Sequence, residues 1–146
     1  MSSNMNEKEA NCIFCTIAHK EDHTELLYED EEFVAFRDIK PATPHHYLII
    51  PKIHIKNVKV LTYEHKELVE KLVNIGTELL ENQNVSKDNI RLGFHWPPFN
   101  SITHLHLHAI GEVDQMSYLA RLIFKSNSAW FVTPEYVLDR LEKTNL

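Results

Sequence analysis

The chain has 146 residues, 43% of them hydrophobic and 25% charged, which is the composition of one compact globular domain. Fifteen basic and 21 acidic residues give a net charge of −6, which argues against a nucleic-acid partner. Three glycines in all cannot build a phosphate-binding glycine-rich loop. No apolar run approaches the ~20 residues of a membrane span, and the polar first eleven residues lack the apolar stretch of a secretory signal. Because the two cysteines suit a reducing compartment, we expect a protein of the cytoplasm or nucleus, neither secreted nor membrane-bound.

In chain order, the apolar pattern predicts two strands, a long helix and two further strands. The strands are predicted at residues 33–39, 46–51, 90–95 and 102–110. The long helix is predicted over residues 63–82, where leucine, valine and isoleucine recur at helical spacing after Thr62, a plausible N-cap. This order is typical of an α+β fold with an antiparallel sheet.

A helical C-terminal tail is predicted after the last strand. A short helix is expected at residues 115–125, with Met116, Leu119, Leu122 and Ile123 on one face, and a last helix opens at Thr133-Pro134. We expect residues 1–10 to be disordered and residues 11–146 to form a single domain with this tail as its extension.

Three histidines alternate with apolar residues near the centre of the chain. On a strand, His104, His106 and His108 share one face, and Leu105, Leu107 and Ala109 the other. Such a row suits either metal binding or nucleophilic catalysis by the central imidazole, which is unprotonated in part at neutral pH. Since no carboxylate occurs between His95 and Glu112, the pattern favours the nucleophile.

The segment His104-Leu105-His106-Leu107-His108-Ala109-Ile110 matches the signature of the histidine triad superfamily, His-x-His-x-His followed by two apolar residues. Residues 11–15, 36–41 and 46–55 resemble further elements of that family in the same order. Residues 93–99 and the long tail most resemble the branch called histidine triad nucleotide-binding protein 3. The resemblance implies that the domain adopts the fold of this superfamily.

The resemblance also implies catalytic roles for four histidines. His106 would be the nucleophile that becomes transiently adenylylated. His104 and His108 would orient it and contact the α-phosphate, and His46, from another strand, would complete the set. No cofactor is implied for catalysis.

Nucleotide-binding residues are implied by the same resemblance. Asp38 would accept hydrogen bonds from the ribose hydroxyls, and Ser101 would meet the phosphate or the leaving group, with His106 and His108 on the phosphate. His95 stands where the family's phosphoramidases usually have asparagine, next to a Trp96-Pro97-Pro98 turn in place of a glycine-rich one. Packing against the base is expected from Phe14, Ile17, Ile39 and Leu48.

A structural zinc site is a further expectation, since some superfamily members carry one. Cys12-x-x-Cys15 alone fits small buried side chains or a redox dithiol as well. With His54 and His104 it would make a Cys₂His₂ set.

The leading functional expectation is a nucleoside phosphoramidase that cleaves the P–N bond of adenosine 5′-monophosphoramidate-like substrates and also acyl-adenylates. The alternatives are a dinucleoside-polyphosphate hydrolase or nucleotidyl transferase of the same superfamily, and a purine-nucleotide-binding scaffold with little turnover. A homodimer or larger homo-oligomer is expected, partly from the resemblance and partly from apolar side chains in the tail: Trp130, Phe131, Tyr136 and Val137.

Overall fold

The computed structural model describes residues 8–145, which form a six-stranded antiparallel sheet with helices on both faces. The strands are β1 (Tyr28–Glu29), β2 (Phe33–Arg37), β3 (His45–Pro51), β4 (Ile90–His95), β5 (Leu107–Gly111) and β6 (Phe131–Val132), in the order β1-β2-β3-β5-β4-β6. The helices are α1 (Ile13–Ala18), α2 (Lys66–Asn82), α3 (Tyr118–Ile123) and α4 (Pro134–Glu142). The predicted α+β class, antiparallel sheet, long helix and helical tail are confirmed. No helix within residues 8–145 is both long and apolar enough to cross a membrane.

The expectations for the chain's start fall mostly outside these residues. Residues 1–7 of the segment expected to be disordered lie outside the described part, and the domain boundary at residue 11 stays a prediction.

One face of the sheet is covered by α2. Its buried residues Val69, Leu72 and Leu80 belong to the same core cluster as Leu107 and Ala109 of β5. Gly76 lets the helix come this close, because a Cβ there would lie 3.2 Å from the Cβ of Ala109. The leucine side of the histidine row is therefore ordinary core.

The first turn of the predicted helix 63–82 is a 3₁₀ turn and not an α-helical one. Residues Tyr63–His65 form a 3₁₀ turn after Thr62, whose backbone N–H donates to Nδ1 of His65 at 2.9 Å. The α-helix proper begins at Lys66.

The predicted strand 102–110 is regular only from Leu107 onward. The register Ile49↔Leu107 would place Leu105 opposite Pro51, which has no N–H to donate to a ladder. Residues 102–106 therefore run beside the sheet, with the Leu105 N–H donating to the carbonyl of Ile55 at 2.7 Å. The alternation of faces persists through this segment, because Leu105 still joins the α2 core.

The short helix predicted in the tail forms, but over fewer residues, and its apolar side chains are not buried. Met116 is buried, but it lies just before α3, and no residue of α3 is buried. Leu119, Leu122 and Ile123 are 65%, 43% and 41% exposed. The helix depends instead on caps: the Ser117 hydroxyl accepts from the Ala120 N–H, and side chains from elsewhere hydrogen-bond to its last carbonyls.

Three elements were missed by the sequence reading, namely α1, β1 and β6. The short strand β6 pairs with β4, so that the tail returns to the sheet. Gly93 on β4 makes this possible, because a Cβ there would lie 2.4 Å from Cε2 of Phe131. The last helix begins as predicted, with Thr133 as N-cap and Pro134 in its first turn.

Candidate active site

His106 is held with one ring nitrogen bonded and the other available. Its Nδ1 lies 2.7 Å from the carbonyl oxygen of His104, and because a carbonyl only accepts, Nδ1 must carry the proton. The lone pair is then on Nε2, the atom from which the ring could attack. Burial lowers the pKa of His106, which keeps the imidazole neutral at pH 7.

A relay of hydrogen bonds fixes the tautomers of His46 and His108. The N–H of Ala42 donates to Nδ1 of His46 at 2.9 Å, so the His46 proton lies on Nε2. Nε2 of His46 lies 2.9 Å from Nδ1 of His108, which must therefore accept. The His108 proton is left on Nε2. Oδ2 of Asp38 lies 3.3 Å from Nε2 of His46 and 3.8 Å from Nδ1 of His108, so the carboxylate adjoins both rings.

The Nε2–H of His108 is an orphan donor. The atom is buried and has no hydrogen-bond partner among residues 8–145. A buried donor without a partner costs about 1–3 kcal/mol, and a bound anion would remove that cost. The ring centroids of His106 and His108 are 5.0 Å apart, so such an anion would lie beside the free nitrogen of His106.

Burial keeps this histidine group uncharged. It lowers the pKa of His46 to about 4, although Asp38 opposes the shift, and it lowers the pKa of His108 and of His95 as well. The tail contributes to the burial. Phe124 packs with its ring centroid 5.2 Å from that of His46 and 5.1 Å from that of His108.

The side chain of His104, the first histidine of the row, lies against two cysteine sulfur atoms. Nδ1 of His104 lies 3.3 Å from Sγ of Cys12 and 3.5 Å from Sγ of Cys15, and Nδ1 of His54 lies 3.3 Å from Sγ of Cys15. All four ligand atoms lie within 4.8 Å of one another. Both cysteines are free thiols, and burial raises the pKa of Cys15 to about 11. We call these four residues the sulfur cluster.

The expected base-packing residues lie on the histidine face of the sheet. Phe14, Ile17 and Leu48 belong to one buried cluster, and the Phe14 ring is 5.2 Å from that of His106. Ile39 stands apart at 93% exposed. Asp38 lies at the end of β2, with Oδ1 accepting from the Lys40 N–H at 2.9 Å and Oδ2 next to His46. Its role towards ribose stays a prediction.

Ser101 and His95 lie on different sides of the histidines. Ser101 is exposed and lines a cavity with Cys12 and His54, whereas Asn100 lines the small cavity against His106. His95, at the end of β4, packs on His108 with ring centroids 5.0 Å apart, and its Nε2–H donates to the Ile123 carbonyl at 3.1 Å. The phosphate role expected of Ser101 stays a prediction.

Comparison with known proteins matches this arrangement to one family. Residues 11–123 match the family model described as "Scavenger mRNA decapping enzyme C-term binding". Adenosine 5′-monophosphoramidase HINT3 of Xenopus tropicalis is 45% identical over 134 residues, 90% of this chain and 88% of that protein. The chain belongs to the histidine triad superfamily.

More distant superfamily members share both sequence and fold with the chain. The purine nucleoside phosphoramidase of Escherichia coli K12 is 31% identical over 101 residues, covering 68% of this chain and 85% of that one. A histidine triad family hydrolase from Clostridium thermocellum is 33% identical, with a TM-score of 0.69 over 76% of this chain and 98% of that chain. The superfamily inferred from the histidine motif is confirmed, and so is the branch inferred from residues 93–99 and the tail, through the similarity to the Xenopus tropicalis protein.

The sequence carries no local signal for the contribution of the tail to the site. Phe124 covers His46 and His108 from a position 16 residues beyond the histidine row, and no periodicity marks it. The run of aromatic residues in the tail was visible, but its destination depends on β6 pairing with β4.

Proposed function

We propose that this chain is a nucleoside phosphoramidase that hydrolyses adenosine 5′-monophosphoramidate-type P–N bonds, and acyl-adenylates, through a nucleotidyl-histidine intermediate. One observation carries the proposal: the carbonyl of His104 holds the proton of His106 on Nδ1 and leaves Nε2 unprotonated beside the orphan donor of His108. The names of the relatives from Xenopus tropicalis and Escherichia coli support the same chemistry.

The reaction proceeds in two displacements at phosphorus. Nε2 of His106 forms a bond to the α-phosphorus as the P–N bond breaks, and the amine leaves with a proton from solvent. Water then attacks the phosphorus, the Nε2–P bond breaks, and a proton returns to solvent. The Nε2–H of His108 donates to a phosphate oxygen in both steps, and the His104 carbonyl stabilises the charge that develops on the His106 ring.

The remaining residues position the nucleoside. Asp38 accepts from the ribose hydroxyls, and Phe14, Ile17 and Leu48 form the apolar wall for the base. Ile39 is 93% exposed and lies outside this cluster, so it would pack on the base from the open side. Because Oδ2 of Asp38 is 3.3 Å from Nε2 of His46, the sugar would sit next to the relay.

The alternative functions fit less well. A binding scaffold has no use for a histidine whose tautomer is set for attack. A dinucleoside-polyphosphate hydrolase or nucleotidyl transferase would use the same nucleophile, so only a comparison of substrates separates it from a phosphoramidase.

We further propose that the sulfur cluster holds a structural zinc ion. With Zn–S of about 2.3 Å and Zn–N of about 2.0–2.1 Å, a tetrahedral ion needs S···N separations of about 3.5 Å, and three of the four in the cluster are 3.3–3.5 Å. The Nε2–H of His104 donates to the Pro51 carbonyl at 2.9 Å, which leaves Nδ1 free as the ligand atom. Zinc would tie α1 to the segments that follow β3 and precede β5. As four protein ligands complete its shell, it would supply stability and no chemistry.

A homodimer or larger oligomer, in the cytoplasm or nucleus, is also part of the proposal. Of the apolar tail residues, Phe131 and Val137 are buried in the chain's own core and are not available to a second copy. Support now comes from the outer side of α3, where Tyr118 is 81% exposed. A reducing compartment would keep Cys12 and Cys15 as thiols. Sedimentation is the measurement; a 17.1 kDa monomer at micromolar concentration would contradict the oligomer.

The central experiment combines substrate comparison with trapping. Wild type, His106→Ala and the matched control His23→Ala, an exposed histidine, are assayed on adenosine 5′-monophosphoramidate and on diadenosine tetraphosphate. An alkaline quench, under which a phosphoramidate on imidazole persists, is followed by intact-mass measurement. We expect faster turnover of the phosphoramidate, one adenylyl group on wild type and His23→Ala, and none on His106→Ala. His106→Ala should lose at least about 1,000-fold in rate, or about 4 kcal/mol of barrier.

Three results would overturn the proposal. Faster hydrolysis of the dinucleotide would favour the polyphosphate hydrolase, and tight nucleotide binding without turnover of either compound would favour the scaffold. Near-wild-type activity of His106→Ala would show that another group is the nucleophile.

A further inference from the structure

An apolar groove opens next to the histidines on the tail side. It has a volume of about 320 Å³ and is lined by His95, Phe99, Leu122, Ile123 and Trp130. We call it the tail groove. Its lining is accessible, with Phe99 56% exposed and Leu122 and Ile123 43% and 41% exposed. His95 is its polar wall, and the same ring packs on His108. Because His95 also lines the small cavity against His106, the groove borders the site of the proposed reaction.

Side-chain donors hold the groove in shape. The Trp130 indole N–H donates to the Leu122 carbonyl at 2.7 Å, the His95 Nε2–H to the Ile123 carbonyl at 3.1 Å, and Arg91 to the Phe124 carbonyl at 3.0 Å. These bonds cap the end of a helix that has no buried residue of its own. Together with the Ser117 cap and the bonds from Arg121 to the Met116 and Asp114 carbonyls, they fix Leu122 and Ile123 along the groove. The groove is therefore preorganised.

The order of the site residues across the sheet matches the order of groups in a nucleoside phosphoramidate. Asp38 follows β2, His46 lies on β3, His106 and His108 lie at β5, and His95 ends β4, and the sheet order is β2-β3-β5-β4. If ribose lies at Asp38 and the phosphate at His106 and His108, the group on the far side of phosphorus points towards His95. The tail groove is the space at that end.

We propose that the tail groove is the leaving-group subsite and that it selects substrates whose departing amine carries an apolar, aromatic side chain. This inference rests on the proposed phosphoramidase function. No charged side chain lines the groove, so a cationic leaving group would be desolvated without a partner. Three aromatic rings and two aliphatic side chains instead favour a planar apolar group. Since Nε2 of His95 donates to Ile123, its Nδ1 remains an acceptor for an amine N–H.

The test compares two leaving groups on one nucleotide. Adenosine 5′-monophosphoramidate releases ammonia, and its N-(2-arylethyl) derivative releases an arylethylamine. Wild type should have a higher kcat/KM for the aryl compound. Leu122→Ser should lower the ratio of the two kcat/KM values by about 10-fold, the scale of a lost apolar contact in a specificity pocket. The ammonia compound should be hydrolysed at close to the wild-type rate.

The matched control is Leu119→Ser, the same substitution on the same helix at a residue that does not line the groove. It reports any effect of the α3 surface, including a change of oligomeric state, that does not pass through the groove. We expect it to keep the wild-type ratio. The affinity for AMP, which has no leaving group, should be equal in all three proteins.

The outcomes separate this inference from the function on which it rests. If both compounds are hydrolysed and the ratio is the same in all three proteins, the subsite is wrong and the phosphoramidase stands. If Leu122→Ser weakens AMP binding as much as it lowers the ratio, the change acts through the nucleotide site, which also overturns the subsite. If wild type hydrolyses neither compound, both proposals fail.

Discussion

The two ends of the histidine row have the same residue type and opposite surroundings. His104 is fully buried beside two sulfur atoms and a second imidazole, and its Nδ1 faces them as an acceptor. His108, four residues later, accepts from His46 at Nδ1 and presents its Nε2–H as a donor. In each ring a hydrogen bond to one nitrogen sets the state of the other. The neighbours of an imidazole, and not its place in a motif, therefore assign its chemistry.

His106 lies between these ends and depends on both. Its Nδ1–H is bonded to the backbone of His104, and its ring packs beside His108. A substitution of His104, at the sulfur cluster, should first lower the stability of the fold. A substitution of His108, in the hydrogen-bond relay with His46, should first lower the rate of catalysis.

A crossed pair of variants gives the largest expected effect. His108→Asn should lower kcat by about 100-fold or more, because the donor to the phosphate is lost, and should keep full zinc content. His104→Asn should lose the zinc. Elemental analysis gives the zinc content of each variant, and steady-state kinetics give its kcat. Loss of zinc from His108→Asn, or full zinc in His104→Asn, would erase the distinction between the two ends.

Removal of one sulfur ligand tests the stability side. Zinc at about 1,000 times its Kd contributes about 4 kcal/mol to the free energy of unfolding. Cys12→Ser should therefore lower Tm by about 10 °C, and the wild type in chelator should fall to a similar value. Thr16→Ser, next to the cluster on α1 and without a ligand role, is the control. A Cys12→Ser variant as stable as wild type would return both cysteines to the role of small buried side chains.

The smallest effect is a pH dependence at the relay end. The pKa of His46 is about 4 in the folded chain, mainly because of burial, against an ordinary value of 6.5. Between these values the unfolded chain binds more protons, so stability falls as pH falls from 7 towards 4. Titration of His46 should account for a loss of about 2 kcal/mol in the free energy of unfolding between pH 7 and pH 5. The groups that act on it are Asp38, His95, His106 and His108, all of which the variant His46→Gln retains.

Urea unfolding at pH 7 and at pH 5 measures this share. The drop in the free energy of unfolding should be smaller in His46→Gln than in wild type by about 2 kcal/mol. The sulfur cluster is common to both proteins, so its own acid sensitivity cancels in the comparison. An equal drop in the two proteins would mean that His46 is not held neutral.

The sequence predicted the elements whose apolar residues follow a regular spacing. It did not predict the elements that depend on contacts between distant residues. The spacing in residues 63–82 and the alternation around His106 are local signals, and both give the observed faces. The end of regular pairing at Leu107 depends on Pro51, 56 residues earlier, and the shape of α3 depends on donors from β4 and from Trp130. The four residues of the sulfur cluster are predicted as zinc ligands only through the resemblance to the histidine triad superfamily. Chain spacing alone could not have joined Cys12 to His104.

The pairing of β6 with β4 has a consequence for assembly. Both outer strands of the sheet, β1 and β6, are two residues long, so each offers few free backbone groups to a neighbouring strand. In a chain that ended after β5, the six residues of β4 would form an open border to which a second copy could add a strand. The tail pairs with Phe94 and His95 at one end of that border, which shortens the stretch that a second copy could join and favours association through side chains on another surface.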